Sequence, residues 1–131
     1  MDSRVKFARR VFWAAGAYGI IVLLPQYFME TRIAAANPPA VTHPEYFYGF
    51  IGVALAWQVL FLVIAGDPAR YRLAMVPAVL EKLTFAGAGL VLYLSHRLAL
   101  QVFAFSMVDL VLGFLFIAAF IATRDTATQA A

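Results

Sequence analysis

The sequence predicts an all-α, integral-membrane four-helix bundle with both termini on the cytoplasmic side. Of its 131 residues, 64% are hydrophobic and 13% charged, whereas soluble domains run near a quarter charged. The apolar residues gather into four runs, each close to the ~20 residues a helix needs to cross a hydrocarbon core. Lys and Arg flank these runs unequally, as topology signals do. Four spans use about 80 residues. The remainder suffices for loops and tails, so the chain reads as one domain, 1–131.

The first apolar run covers 11–29, after the basic start Arg4, Lys6, Arg9 and Arg10. A signal peptide is the rival reading. The run is too long for an ordinary signal core, and Glu30 and Arg32 interrupt before the small residues Ala34–Ala36. An uncleaved span is therefore expected. The connection from Glu30 to His43 holds Asn37-Pro38-Pro39, which disfavours helix. Thr42 and Glu45 have the spacing of a capping box, with Pro44 in the first turn.

The second span is expected over 45–65. Gly66 ends it, Asp67 caps the next helix, and Pro68 occupies a first turn. Arg70 and Arg72 then read as headgroup-binding residues, each worth about 1 kcal/mol near an anionic surface. The third span covers 73–94. Pro77 predicts a kink there, with 68–76 forming a short interfacial turn. Ser95-His96-Arg97 makes a tight turn, and the fourth span covers 99–122, ended by Thr123-Arg124-Asp125.

With the N-terminus inside, the cytoplasmic segments hold Arg4, Lys6, Arg9, Arg10, Arg70, Arg72 and Arg124, while the outer loops hold Arg32 and Arg97. This bias places both termini in the cytoplasm and the chain in the inner (cytoplasmic) membrane. Tyr27, Phe28, Tyr46, Tyr48 and Tyr93 fall at the outer boundary, with Trp13 and Tyr71 at the inner one, as interfacial anchors.

Some classes are excluded. With no cysteine, disulfide exchange, thiolate catalysis and thiolate metal sites are absent. The basic residues form no single stripe, so nucleic acid is not a partner. His43, Glu45 and Glu30 fall short of a metal set, and capping is preferred. No cofactor is assigned, since the chain carries no Walker loop, HExxH, nucleophile elbow or paired haem histidines.

The polar residues within the spans are Tyr18, Gln58, Glu81, Lys82, Thr84, Gln101, Ser106 and Asp109. Counting rise along each helix puts Tyr18 and Gln58 about 10 Å from the inner ends, Glu81 about 12 Å and Lys82 about 13–14 Å. Asp109 lies about 15 Å from the outer end, which is about the middle of a hydrocarbon core. Tyr18, Gln58, Glu81, Lys82 and Asp109 therefore form the candidate intramembrane polar site. Lys82 and Asp109 are expected to pair. Glu81 points about 100° away around the helix, toward the second span and Gln58. The cluster reads either as a clamp fixing helix neighbours or as a ligand or proton site. Ala15 with Gly19, Gly52 with Ala56, and Ala86–Gly89 are expected to pack helices closely.

The basic start, HPEYFYGF (43–50), GDPARYR (66–72) and PAVLEK (77–82) together resemble the plan of small bacterial four-helix membrane proteins of the DoxX-like kind. The resemblance is architectural and spans the chain, and no site residue is carried over from it. It implies association with quinone-linked redox complexes. Another four-helix group, the sterol-isomerase-like proteins, uses intramembrane acids near a lipid pocket. The expected partners are the lipid bilayer, a lipophilic ligand, and a membrane-protein partner or a second copy of the chain. The first functional reading is an accessory subunit or lipophile-binding bundle. An enzyme or carrier for a quinone- or isoprenoid-like molecule is the second, with Trp57, Phe85 and Phe105 lining its pocket. An oligomeric proton-coupled transporter is the third.

Overall fold

The computed structural model describes residues 1–129, and among them there are helices and no strands. The long helices are α1 (Ser3–Leu23), α3 (Pro44–Gly66), α4 (Met75–Leu94) and α5 (Leu100–Ala122). A 3-10 turn, Leu24–Phe28, extends α1, and another, Arg72–Ala74, leads into α4. Two short helices, α2 (Glu30–Ala36) and α6 (Arg124–Gln129), complete the chain. Four of these segments are long and apolar enough to cross a membrane. Large apolar side chains cover the outside: Ile21, Val53, Leu80, Val111, Phe114 and Ile121 are all exposed.

Asp2 starts α1 by accepting a hydrogen bond from the Arg4 amide, so the helix takes in the whole basic segment before the apolar run. The cap of α3 differs from the expected box. Pro44 at the first helical position makes His43 the N-cap, and its carbonyl accepts from the Tyr46 and Phe47 amides. Thr42 is thereby one residue too early, and Glu45 turns to His43 instead, with Oε1 3.3 Å from Nδ1. Asp67 does cap the following turn, accepting from the Arg70 amide at 3.2 Å. Pro77 does not interrupt α4. It is the third residue of α4, where its missing N–H is one of those without an intrahelical partner anyway.

The α4–α5 turn is a complete Schellman motif. Arg97 N–H donates to Leu92 O at 2.8 Å and His96 N–H to Tyr93 O at 3.0 Å. His96 holds the left-handed position, φ 57°. At the opposite end, arginines cap two helices. Arg9 donates to Gly66 O at 3.0 Å and Arg72 Nε to Phe120 O at 3.0 Å. Each places a cation at the negative end of a helix dipole. Arg4 and Asp125, 2.9 Å apart, join the two termini there.

The helices pack as an open C. α3 lies along α1, α1 touches α5, and α5 lies along α4, while α3 and α4 scarcely meet. Small residues set the close pairs. A Cβ on Gly16 would lie 2.9 Å from the Gln58 carbonyl, and one on Gly89 would collide with Ser106. Ala56, in contrast, is exposed and Gly87 faces open space, so neither joins the packing expected of it. The core lies toward the termini. Phe12 stacks on Phe116 at 4.2 Å, and Phe61 meets Phe116 edge-on at 4.9 Å. Met75 and Ala78 of α4 close the cluster.

Two glycines test this packing. Gly16→Ala forces α1 and α3 apart against a backbone atom, and overpacking of this kind costs about 1–3 kcal/mol. Gly87→Ala meets nothing and removes helix-breaking freedom, a gain of about 0.5–1 kcal/mol. Thermal unfolding in detergent should therefore move in opposite directions for the two variants.

Candidate functional site

Where α3 and α4 diverge, a cavity of about 890 Å³ opens in the half of the bundle away from the termini. Its walls come from the last turns of α1, from α2, and from facing parts of α3, α4 and α5. Phe50 and Phe85, with centroids 6.0 Å apart, reach across between its two lips. Trp57, Phe85 and Phe105, the residues expected of a pocket, all line it.

Tyr18, Gln58, Glu81, Lys82 and Asp109 all line this one cavity. Lys82 is almost fully buried although it sits in the middle of α4. Its Nζ lies 3.1 Å from Asp109 Oδ1 and 3.4 Å from Glu81 Oε2. The same ammonium is 5.2 Å from the centre of the Phe61 ring. Glu81 therefore turns to the lysine beside it, whereas the helical angle alone predicts that it points away. Its side chain is long enough to fold back, and the lysine is the cation within reach.

One ammonium faces two carboxylates, so the cluster carries either one excess negative charge or one proton. Glu81 Oε2 makes no hydrogen bond at its 3.4 Å separation, and Gln58 Oε1 is likewise buried without a donor. Gln58 uses its Nε2 on Ala54 O at 2.9 Å, which leaves its buried oxygen against Gly19 without a donor. The side chain is pressed against Gly19, where any Cβ would collide with it. Glycine at 19 thus positions Gln58.

Other residues take different roles from those expected. Ser106 donates to Phe103 O beneath Gly89, and Thr84 donates to Leu80 O, both within their own helices. Gln101 lines the cavity nearer the loop end. Arg70 is exposed beside Tyr71, but Arg72 lies 3.6 Å over the Phe120 ring and bonds to its carbonyl. Arg72 is thus a helix cap more than a free headgroup ligand. The boundary aromatics divide. Phe28, Tyr46 and Trp13 are exposed, whereas Tyr27 stacks on Tyr48 and Tyr93 on Phe103. Tyr48 donates to Glu30 at 2.6 Å, tying α2 to α3 and drawing Glu30 away from His43 and Glu45.

Sequence reasoning missed α2 and with it Arg32, Ile33 and Asn37 of the cavity wall. Two signals point to it in retrospect. Ala34–Ala36 favour helix, and Glu30 suits a first turn. The chain matches no family model, no curated protein and no solved structure.

The geometry makes the roles of the three charges unequal. Lys82→Ala strands two buried carboxylates and is expected to cost about 3–5 kcal/mol. Asp109→Asn leaves Lys82 matched by Glu81 and should cost far less. A double-mutant cycle on the two positions should give strong coupling, so strictly additive losses in thermal unfolding would contradict the ion pair.

Proposed function

We propose that the protein is a multi-pass inner-membrane protein, both termini cytoplasmic, that holds a lipophilic molecule in the cavity between α3 and α4. The observation that carries this reading is the cavity itself. It is large and mostly apolar, with a few polar groups converging on its floor, as ligand sites have. Its lips, α3 and α4, lie close only at the end of the termini and at Phe50–Phe85, so a molecule dissolved in the bilayer can enter sideways between them. The small-molecule-binding bundle is thus favoured over a purely structural accessory subunit. Association with a larger membrane complex, as a resemblance to DoxX-like proteins implies, is compatible with it.

One observation supports chemistry at the site as well. Glu81 Oε2 lacks a hydrogen bond beside a buried ammonium, which suits a group that exchanges a proton with a bound quinone- or isoprenoid-like molecule. The transporter reading has less support. Phe12, Phe61 and Phe116 fill the bundle on the side of the termini, and a passage along the axis would have to displace them.

The orientation is supported by the basic bias and by where the ends meet. Arg4 and Asp125 pair at the end that also carries Arg9, Arg70 and Arg72. The chain has no cysteine, so single ones report cleanly. Ser3→Cys and Thr128→Cys should resist an impermeant thiol reagent in intact cells, and Ala36→Cys should react. The reverse pattern would overturn the topology.

Binding is read separately. Native mass spectrometry of the gently extracted protein should show a retained lipophile. Glu81→Gln keeps the shape and removes the charge, so it should fold normally and release that molecule. Equal retention by the variant would make Glu81 a structural residue.

A further inference from the structure

The floor of the cavity gathers two carboxylates around one ammonium. Glu81 and Asp109 share a single cation, Lys82, which both already hold. Glu81 Oε2 is ion-paired to Lys82 at 3.4 Å but makes no hydrogen bond, and Gln58 Oε1 is buried without a donor. Gln58 is only 2% exposed, yet it borders the cavity. A buried acceptor without a donor is costly, and excess carboxylate charge beside an apolar cavity favours a cation. The rest of the lining is rich in rings: Tyr18, Phe50, Trp57, Phe85 and Phe105. Aromatic faces are electron-rich and attract cations, most strongly where water is excluded.

We infer that the cavity selects lipophilic cations, of the aryl- or alkyl-ammonium type, over neutral and anionic lipophiles of the same size. This rests on the cavity being the ligand site. The bound cation neutralises the excess carboxylate charge and lies among the rings, while its apolar substituents fill the wider space toward the α3–α4 opening. Two cations border the cavity and oppose it. Lys82 is already offset by its two carboxylates, and Arg32 is exposed on α2, where solvent screens it. A fatty acid or other anionic amphiphile would instead bring a second uncompensated charge to the floor.

The test uses three probes of nearly equal shape: tetraphenylphosphonium, tetraphenylmethane and tetraphenylborate. Each is equilibrated by dialysis with the full chain in neutral-detergent micelles, and empty micelles serve as the blank. The cation should bind at least about tenfold more tightly than the neutral compound, with the anion at the blank. Glu81→Gln should cut cation affinity about tenfold. The wild-type ranking decides the matter even if that variant folds poorly. If the neutral probe or the anion binds as well as the cation, charge selection is wrong and the cavity remains a lipophile site. If none exceeds the blank, the binding reading falls with it.

Discussion

Lys82 is the residue on which the arrangement turns. Its ammonium reaches Asp109 across the helix pair and Glu81 along its own helix, and it sits over the edge of the aromatic core at Phe61. An ammonium cannot be buried among apolar side chains without such partners. The pair with Asp109 therefore constrains α4 and α5 in rotation and register at the bundle's middle. Gly113 makes room for the same contact. A Cβ there would lie 2.9 Å from Leu83 Cδ2 and 3.4 Å from Lys82 Cβ.

That contact marks the border between two halves of different character. Toward the termini, Phe12, Phe61 and Phe116 interlock and the small residues Ala8, Ala15, Ala78 and Ala119 let the backbones approach. Toward the loops, close packing survives only within pairs: α1 with α3, and α4 with α5. Gly89 against Ser106 and Tyr93 against Phe103 hold the second pair together. The space between the pairs is bordered by Phe50, Trp57, Phe85 and Phe105, rings too large to let the helices close and too few to fill the gap. The cavity is thus a consequence of where glycine and phenylalanine fall along each helix.

Much of this was legible in the sequence, and the parts that were not share a physical cause. Hydropathy finds long helices because the apolar runs must match a span. Counting 1.5 Å per residue sets depth, which is why Tyr18, Gln58, Glu81, Lys82 and Asp109 could be assigned to one level before any contact was known. Depth says nothing about how a long side chain bends. Glu81 folding back to Lys82, and Arg9 and Arg72 reaching carbonyls at helix ends, all depend on that freedom. Pairing between helices was equally hidden. The small-xxx-small spacing of Gly52 and Ala56 looks the same as that of Ala15 and Gly19, although Ala56 faces the outside and Gly52 meets only the Tyr27 hydroxyl. The short helix α2 escaped because the proline pair after it dominated the reading of the whole connection, although Pro38 and Pro39 only limit where it stops.

The position of the unpaired acceptors ties the fold to the proposed binding. A structural clamp is best served when every member is satisfied, since a half-satisfied polar network is worse than apolar packing. A cluster meant only to join helices could have consisted of Lys82 and Asp109 alone. Glu81 adds a second carboxylate whose Oε2 makes no hydrogen bond, and Gln58 adds an oxygen with no donor; both residues line a space large enough for a ligand. Glycine at 19 keeps Gln58 pressed there, because any larger residue would push it out. Under the proposed binding, these unsatisfied groups, held in place by the packing around them, are what the ligand completes.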